Sequence, residues 1–295
     1  MIFLILFFVN FIYASTPGET TFTFLKIPVG AKATSLAEAC LTEINDPFAI
    51  YYNPANLAQS FNNQIALSHL EYLESIRYDN LTAIFKIKNF YKIGFSLGLL
   101  YTTDLNKTIS SETMEGFESL GDFSFYNFIS ILANSFKISH NSSFGINLKF
   151  INEKIDKYQN SNLAFDFGYF RKIKNNLNWA FSILNIAPSS KFIKEKEISP
   201  ICFKTGFAIF VWKINLNLDL QKYYDSPLTI SSGLQAKFFD ILFIRTGYKF
   251  KFEKKFFNNF TAGLGIKINK FNIDYALATY NILGLTHTIS LIFNF

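Results

Sequence analysis

The chain ends Leu285-Thr286-His287-Thr288-Ile289-Ser290-Leu291-Ile292-Phe293-Asn294-Phe295. In a β-strand successive side chains point to opposite faces. One face of this stretch therefore carries Leu285, His287, Ile289, Leu291, Phe293 and Phe295, and the other Thr286, Thr288, Ser290, Ile292 and Asn294. Helical spacing would scatter both sets around a cylinder. The same period of two runs backwards through the sequence. Phe271, Ile273, Tyr275 and Leu277 oppose Asn272, Asp274, Ala276 and Ala278, and Ile214, Leu216, Leu218 and Leu220 oppose Asn215, Asn217, Asp219 and Gln221. About fourteen such segments can be marked, near Leu67, Ala83, Leu97, Ile131, Leu148, Phe167, Phe181, Phe207, Leu218, Leu234, Ile244, Leu264, Tyr275 and Leu291. Each is near the length of a tilted membrane strand.

A soluble sandwich also alternates, but the spacing between segments separates the two architectures. Counted from a first strand that enters at the periplasmic side, the odd connections are long: residues 71–75, 104–122, 152–161, 188–199, 223–227, 251–259 and 281–284. The even ones are short, at residues 88–91, 139–142, 172–176, 212–213, 239–240 and 269–270. Long external loops alternating with short periplasmic turns are a barrel pattern, and a sandwich has no reason to keep that parity. In lipid every backbone donor and acceptor must be paired within the protein, so the sheet has to close. The sequence therefore predicts an all-β fold, a closed antiparallel transmembrane β-barrel of about 14 strands over residues 61–295, with its apolar face toward lipid. The fourth strand, residues 123–138, is the least clear because both its faces mix apolar and polar residues. Phe295, ending an alternating strand, reads as a C-terminal signal for the outer-membrane assembly machinery.

Composition agrees with a membrane location and excludes other classes. Hydrophobic residues make up 49% of the 295 residues and aromatics 18%, with 37 Phe, too apolar and aromatic for disorder. Beyond residue 15 no apolar run reaches the roughly 18 residues that a spanning helix needs. The formal charge is +6, but the basic residues lie in turns or alternate with apolar neighbours and form no helical basic face. No nucleic-acid partner is expected. Three histidines, His69, His140 and His287, are too scattered for a metal cluster, and no phosphate loop or nucleophile elbow occurs. The chain reads as a non-enzyme with no cofactor. Cys40 and Cys202 have no metal-ligand spacing, and the sequence leaves open whether they are bonded or are two buried thiols.

Residues 1–14, MIFLILFFVNFIYA, have the size of a signal-peptide core, and the small and helix-hostile Ser15-Thr16-Pro17-Gly18 follows. A signal peptide cleaved after Ala14 and an outer-membrane destination are expected, although no Lys or Arg precedes the apolar run. Residues 15–60 do not alternate. Ala33 to Leu41 favours a short helix, and Asp46-Pro47 and Asn53-Pro54 each place a capping acceptor before a proline, the start of a helical turn. A compact segment preceding a wide barrel suits a lumen plug. Its motif residues are Gly30, Ala31, Asp46, Asn53, Pro54 and Ala55, and the candidates for lining the lumen are Lys204, Asp219, Arg245, Lys249, Lys267 and Asp274.

This segment resembles the amino-terminal signature of the PorV/PorQ family, itself related to the FadL family of long-chain fatty acid channels. The matching residues are Phe24-Leu25, Val29-Gly30-Ala31 with Lys32, Ala39, Asn45-Asp46, Ala49, Asn53-Pro54-Ala55 and Leu57. Where the family pattern has a Met-Gly-Gly-like stretch, this chain has Leu36-Ala37-Glu38. The tail, Asp274-Tyr275-Ala276-Leu277 followed by Leu283-Gly284-Leu285-Thr286-His287, is also similar; the middle agrees only in strand rhythm. The PorV resemblance implies an interaction protein that receives or shuttles secreted proteins in type IX secretion. The FadL relationship implies the alternative, a transporter that passes hydrophobic small molecules through a plugged barrel. The partners expected are outer-membrane lipid, the assembly machinery, and either secreted proteins or hydrophobic small molecules.

Overall fold

A computed structural model describes residues 18–295 except 111–116, 193–194, 253–257 and 281–282. The expected signal peptide lies outside the described residues. Fourteen strands close into one antiparallel barrel. They are β1 (Gln64–Glu71), β2 (Arg77–Lys88), β3 (Tyr91–Ser110), β4 (Phe117–Ser139), β5 (Ser142–Ile155), β6 (Tyr158–Lys174), β7 (Leu177–Ile186), β10 (Cys202–Val211), β11 (Ile214–Tyr223), β12 (Thr229–Phe238), β13 (Leu242–Lys251), β14 (Asn258–Ile268), β15 (Phe271–Thr279) and β16 (Leu285–Asn294). The two short strands β8 (Ser190–Phe192) and β9 (Glu195–Glu197) form a separate hairpin between β7 and β10. β1 pairs with β16 from Gln64 opposite Asn294 to Glu71 opposite His287, so no edge strand remains. At this seam the Phe295 N–H donates to the Asn63 carbonyl at 3.0 Å, and the Phe295 ring lies against Phe85 and Phe293.

The alternation read from sequence has the expected sense. On β16, Thr286, Thr288 and Ser290 are buried inside the barrel while Leu285, Ile289 and Leu291 face out. The outer surface is a continuous sheath of Leu, Ile and Phe, which water would not tolerate at this extent but hydrocarbon solvates. The core lies inside the barrel, between the wall and the segment that precedes β1. Phe22, Phe48, Ile50 and Leu57 from that segment pack with Tyr78, Ile84, Ile129 and Ile131 from the wall. Each buried side chain of this size stabilises by roughly 1.5–3 kcal/mol. Those contacts explain the mixed pattern of β4: Ile129, Ile131 and Ala133 turn inward to meet the segment, and Leu132 and Phe136 turn outward.

The short turns stand where expected, and several use left-handed backbone, as at Phe239-Asp240 (φ 48° and 60°) and Asn269 (φ 52°). Two of the long connections differ. Much of residues 104–122 is strand, because β3 continues to Ser110 and β4 begins at Phe117. Likewise β5 and β6 run on to a tight turn at Asp156-Lys157. The β3–β4 extension rises beyond the apolar sheath with both faces largely exposed, and the β5–β6 extension keeps the polar Asn152 and Asn160 buried on its inner face.

Candidate transport site

The segment before β1 folds from local signals. Gly30 (φ 89°) opens α1 (Ala31–Ser35), and a Cβ there would come 2.7 Å from the Phe48 ring, so both its backbone angle and its packing require glycine. The helix expected over Ala33 to Leu41 starts two residues earlier and stops at Ser35, because Ala37 (φ 53°) and Glu38 (φ 64°) turn left-handed. They occupy the stretch where the PorV/PorQ pattern carries glycines. Asp46 caps the turn Pro47–Tyr51 by accepting the Phe48 N–H at 2.9 Å. Asn53 accepts the Ala55 N–H at 3.1 Å and donates to the Leu41 and Tyr169 carbonyls, both at 3.2 Å. It thereby holds a turn at Pro54-Ala55, and α2 (Asn56–Gln59) begins only after it.

The segment's partners are inward-facing groups around the whole wall. The Ala31 N–H donates to Ser290 on β16 at 2.9 Å, and the Cys40 and Leu41 N–H groups converge on Asp219 of β11, both at 2.9 Å. Asn147 and Ser143 of β5 donate to the Ile50 and Ala55 carbonyls at 2.8 and 2.7 Å. On the wall, a Cβ at Gly145 would lie 2.4 Å from the Ala55 nitrogen, and one at Gly247 2.4 Å from the Leu36 carbonyl carbon. The segment thus threads the barrel interior. At the long-loop end the Thr21 N–H donates to the Ile198 carbonyl at 3.1 Å, and Lys26 and Thr20 both reach Asp225 at 2.7 Å. Burial works to raise the Asp225 carboxyl, but these two donors hold it below the usual carboxylate range. At the opposite end Lys92 donates to Ser60 at 3.0 Å, just before β1 starts.

Of the charged residues expected in the lumen, Asp219 binds the segment backbone, Lys204 lies 5.0 Å above the Tyr52 ring, and Lys249 forms an ion pair with Glu38. Arg245 pairs with Asp274 at 2.5 Å and also donates to Gln235 at 2.7 Å. Lys267 is exposed at the short-turn rim, where it borders the same chamber as Arg245 and Asp274. Sequence reading did not single out Glu38, Lys32 with Glu43 (2.5 Å), or Lys149 with Asp166 (2.8 Å). The signal for the last pair was a charge at a wet-face position of an otherwise apolar strand. Cys40 and Cys202 are free, buried thiols.

Among the described residues the lumen shows an open chamber toward each end. At the long-loop end a vestibule of about 490 Å³ is lined by Phe24, Tyr72, Leu100, Phe125, Ile155 and Tyr280, with the Glu38–Lys249 pair and Lys26 beside them. Tyr72 and Tyr280 meet edge to face, with centroids 5.5 Å apart. At the short-turn end a more polar chamber of about 300 Å³ lies among Glu43, Phe210, Arg245, Lys267 and Asn272. Beside the vestibule, among Tyr51, Tyr52, Tyr78 and Lys204, lies a small enclosed space of about 20 Å³. That is room for roughly one water. A further groove of about 480 Å³ over Leu67, Leu81, Leu97 and Leu291 lies on the outer wall, where lipid chains have access, and is separate from the lumen.

No family model matches the sequence, and no curated protein is detectably similar to it. Solved structures are similar in fold. CymD, a monoaromatic hydrocarbon channel, superposes with a TM-score of 0.70 at 10% identity, over 91% of this chain and 98% of that one. The toluene transporter TbuX of Ralstonia pickettii gives 0.68 at 10% identity over 90% and 98%. A FadL homologue of Pseudomonas aeruginosa gives 0.64 at 10% identity over 91% and 99%. These neighbours are channels rather than enzymes, and what the chain shares with them, at such low identity, is the closed fourteen-stranded barrel fold.

Proposed function

We propose that this protein is an outer-membrane channel that takes up hydrophobic small molecules, with the segment over residues 15–60 acting as its plug. The observation that carries this reading is the vestibule, a chamber at the long-loop end of a closed barrel that aromatic and aliphatic side chains line together with several charged groups, with that segment threading the lumen beneath it. The hydrocarbon channels among its structural neighbours support it. The secretion-partner role implied by the PorV/PorQ resemblance has no comparable support. In the vestibule an apolar solute leaves water at a gain of roughly 25 cal/mol for each Å² buried. Onward passage needs the segment to shift, since its hydrogen bonds to β5, β11 and β16 hold it across the lumen. Gly30, Asp46 and Asn53 set its turns, and Ala31, Pro54 and Ala55 pack it against the wall. Export by a signal peptide and assembly guided by Phe295 complete the picture of an outer-membrane protein.

Equilibrium binding of the apolar fluorophore N-phenylnaphthylamine to the protein in lipid nanodiscs tests the vestibule. Binding is expected to be saturable, and Leu100→Asp, which sets a carboxylate among Phe24, Phe125 and Tyr280, is expected to weaken it about tenfold, equivalent to about 1.4 kcal/mol. Undiminished binding by a folded Leu100→Asp barrel would remove the vestibule from the pathway.

A further inference from the structure

The tight turns at the short-turn end carry a concentration of lysines. Lys86 and Lys88 precede the β2–β3 turn, Lys137 the β4–β5 turn, Lys172 and Lys174 the β6–β7 turn, and Lys267 and Lys270 flank the β14–β15 turn. The strand register places Lys86, Lys137, Lys172 and Lys267 on the lumen side, whereas past the bulges that end β2 and β6 Lys88 and Lys174 pair with the outward Tyr91 and Leu177. Lys86 follows the buried Ile84 by two residues, Lys137 follows Ser135, and Lys172 follows Phe170. Their outward neighbours Phe85, Ile87, Phe136, Ile138 and Ile173 are the apolar sheath. The lysines are exposed or half-exposed, and none has an ion-pair partner among the described residues.

Acidic groups at this end are few and mostly engaged. Asp240 pairs with Lys237 at 2.8 Å, and deeper in the mouth Glu43 and Asp274 are held by Lys32 and Arg245. Adjacent strands are about 4.8 Å apart, so neighbouring turns sit about 10 Å apart, near the screening length at physiological salt. The lysines therefore add to one positive collar around the mouth but do not converge on any single small anion. Phospholipid headgroups would be met from the outward positions, which are mostly apolar.

We propose that this collar docks the acidic face of a soluble periplasmic protein over the inner mouth of the lumen. The proposal rests on the transmembrane orientation, with short turns inward, and not on what the channel carries. Charge complementarity of this kind sets association rate and salt dependence. Polyglutamate serves as the probe, its binding to the protein in phosphatidylcholine nanodiscs followed by fluorescence anisotropy. Reversal of Lys86, Lys137, Lys172 and Lys267 to Glu is expected to weaken binding about tenfold or more. The same number of reversals at the long-loop end (Lys107, Lys154, Lys157 and Lys191 to Glu) should change it little. Binding by the wild type should also fall steeply with salt. If the reversed collar fails to fold, the Lys→Gln set at the same positions gives the comparison. Equal losses in both sets, or no binding by the wild type, would overturn the proposal. So would lysine-dependent retention of phosphatidylglycerol without polyglutamate binding, which would assign the collar to lipid. N-phenylnaphthylamine binding in the vestibule is independent of these outcomes, so failure here and failure of the channel reading are distinguishable.

Discussion

Arginine at Leu218 is expected to destabilise the barrel in lipid vesicles by about 2–4 kcal/mol, the cost of a charge on the lipid face near the bilayer midplane. Leu218 lies mid-way along β11, half exposed on the outer wall between Phe207 and Ser232 of the adjoining strands. Ile273→Arg, closer to the short-turn rim, should cost less than Leu218→Arg but clearly more than Asn272→Arg. These last two residues are neighbours in sequence and differ in direction: Ile273 faces out, and Asn272 lines the inner chamber of about 300 Å³. Ser290 is unsuited as the inward control because its hydroxyl accepts the Ala31 N–H, so a large side chain there would strike the segment. Equilibrium unfolding by urea in vesicles reads all three variants. Equal penalties at Ile273 and Asn272 would mean that the wall has been assigned the wrong face outward.

Asp166→Ala should be as costly by a different route. Lys149 and Asp166 are almost wholly buried, 3% and 0% exposed, and lie 2.8 Å apart. Asp166 also accepts from Asn147 and from the Asn185 backbone, each at 2.7 Å, and Asn147 donates onward to the Ile50 carbonyl of the segment. Removing the carboxylate leaves a buried ammonium with only Asn185 Oδ1 at 2.7 Å as partner. Breaking one side of such a pair typically costs about 3–5 kcal/mol, whereas replacing both sides by apolar groups is often near neutral. The double variant Lys149→Met/Asp166→Leu should therefore recover much of the loss. Urea unfolding checks both, and a single variant as stable as the wild type would show that water reaches this network.

The strand register was legible because lipid and lumen make opposite demands on alternate residues. Where only one of those demands applies, the pattern disappears: the extensions of β3 and β4 meet water on both faces, and lower down β4 meets lipid on one face and the apolar segment on the other. The segment's turns at Asp46 and Asn53 were readable from capping chemistry, but the end of α1 was not, since Ala37 and Glu38 adopt a backbone that usually falls to glycine. Lumen pairings such as Lys249 with Glu38 join residues far apart in the chain, so sequence named one partner and missed the other. Lys267 shares the parity of the lumen residues but lies one step too near the rim to be enclosed. The vestibule left one readable trace. Leu100 is an apolar residue on a face otherwise made of Lys92, Gly94, Ser96 and Gly98, and such an exception marks where the wall of a wet lumen turns greasy.

The central claim is selective passage of hydrophobic solutes through the vestibule. Its most direct test is uptake by Gram-negative cells whose own outer membrane excludes such solutes, comparing the wild type, Leu100→Asp and an empty control. The wild type is expected to accelerate accumulation of a labelled apolar probe without raising permeability to sugars of similar size, and Leu100→Asp should lower that rate about tenfold, in step with its binding. Free passage of sugars, or probe accumulation indifferent to Leu100→Asp, would contradict the account.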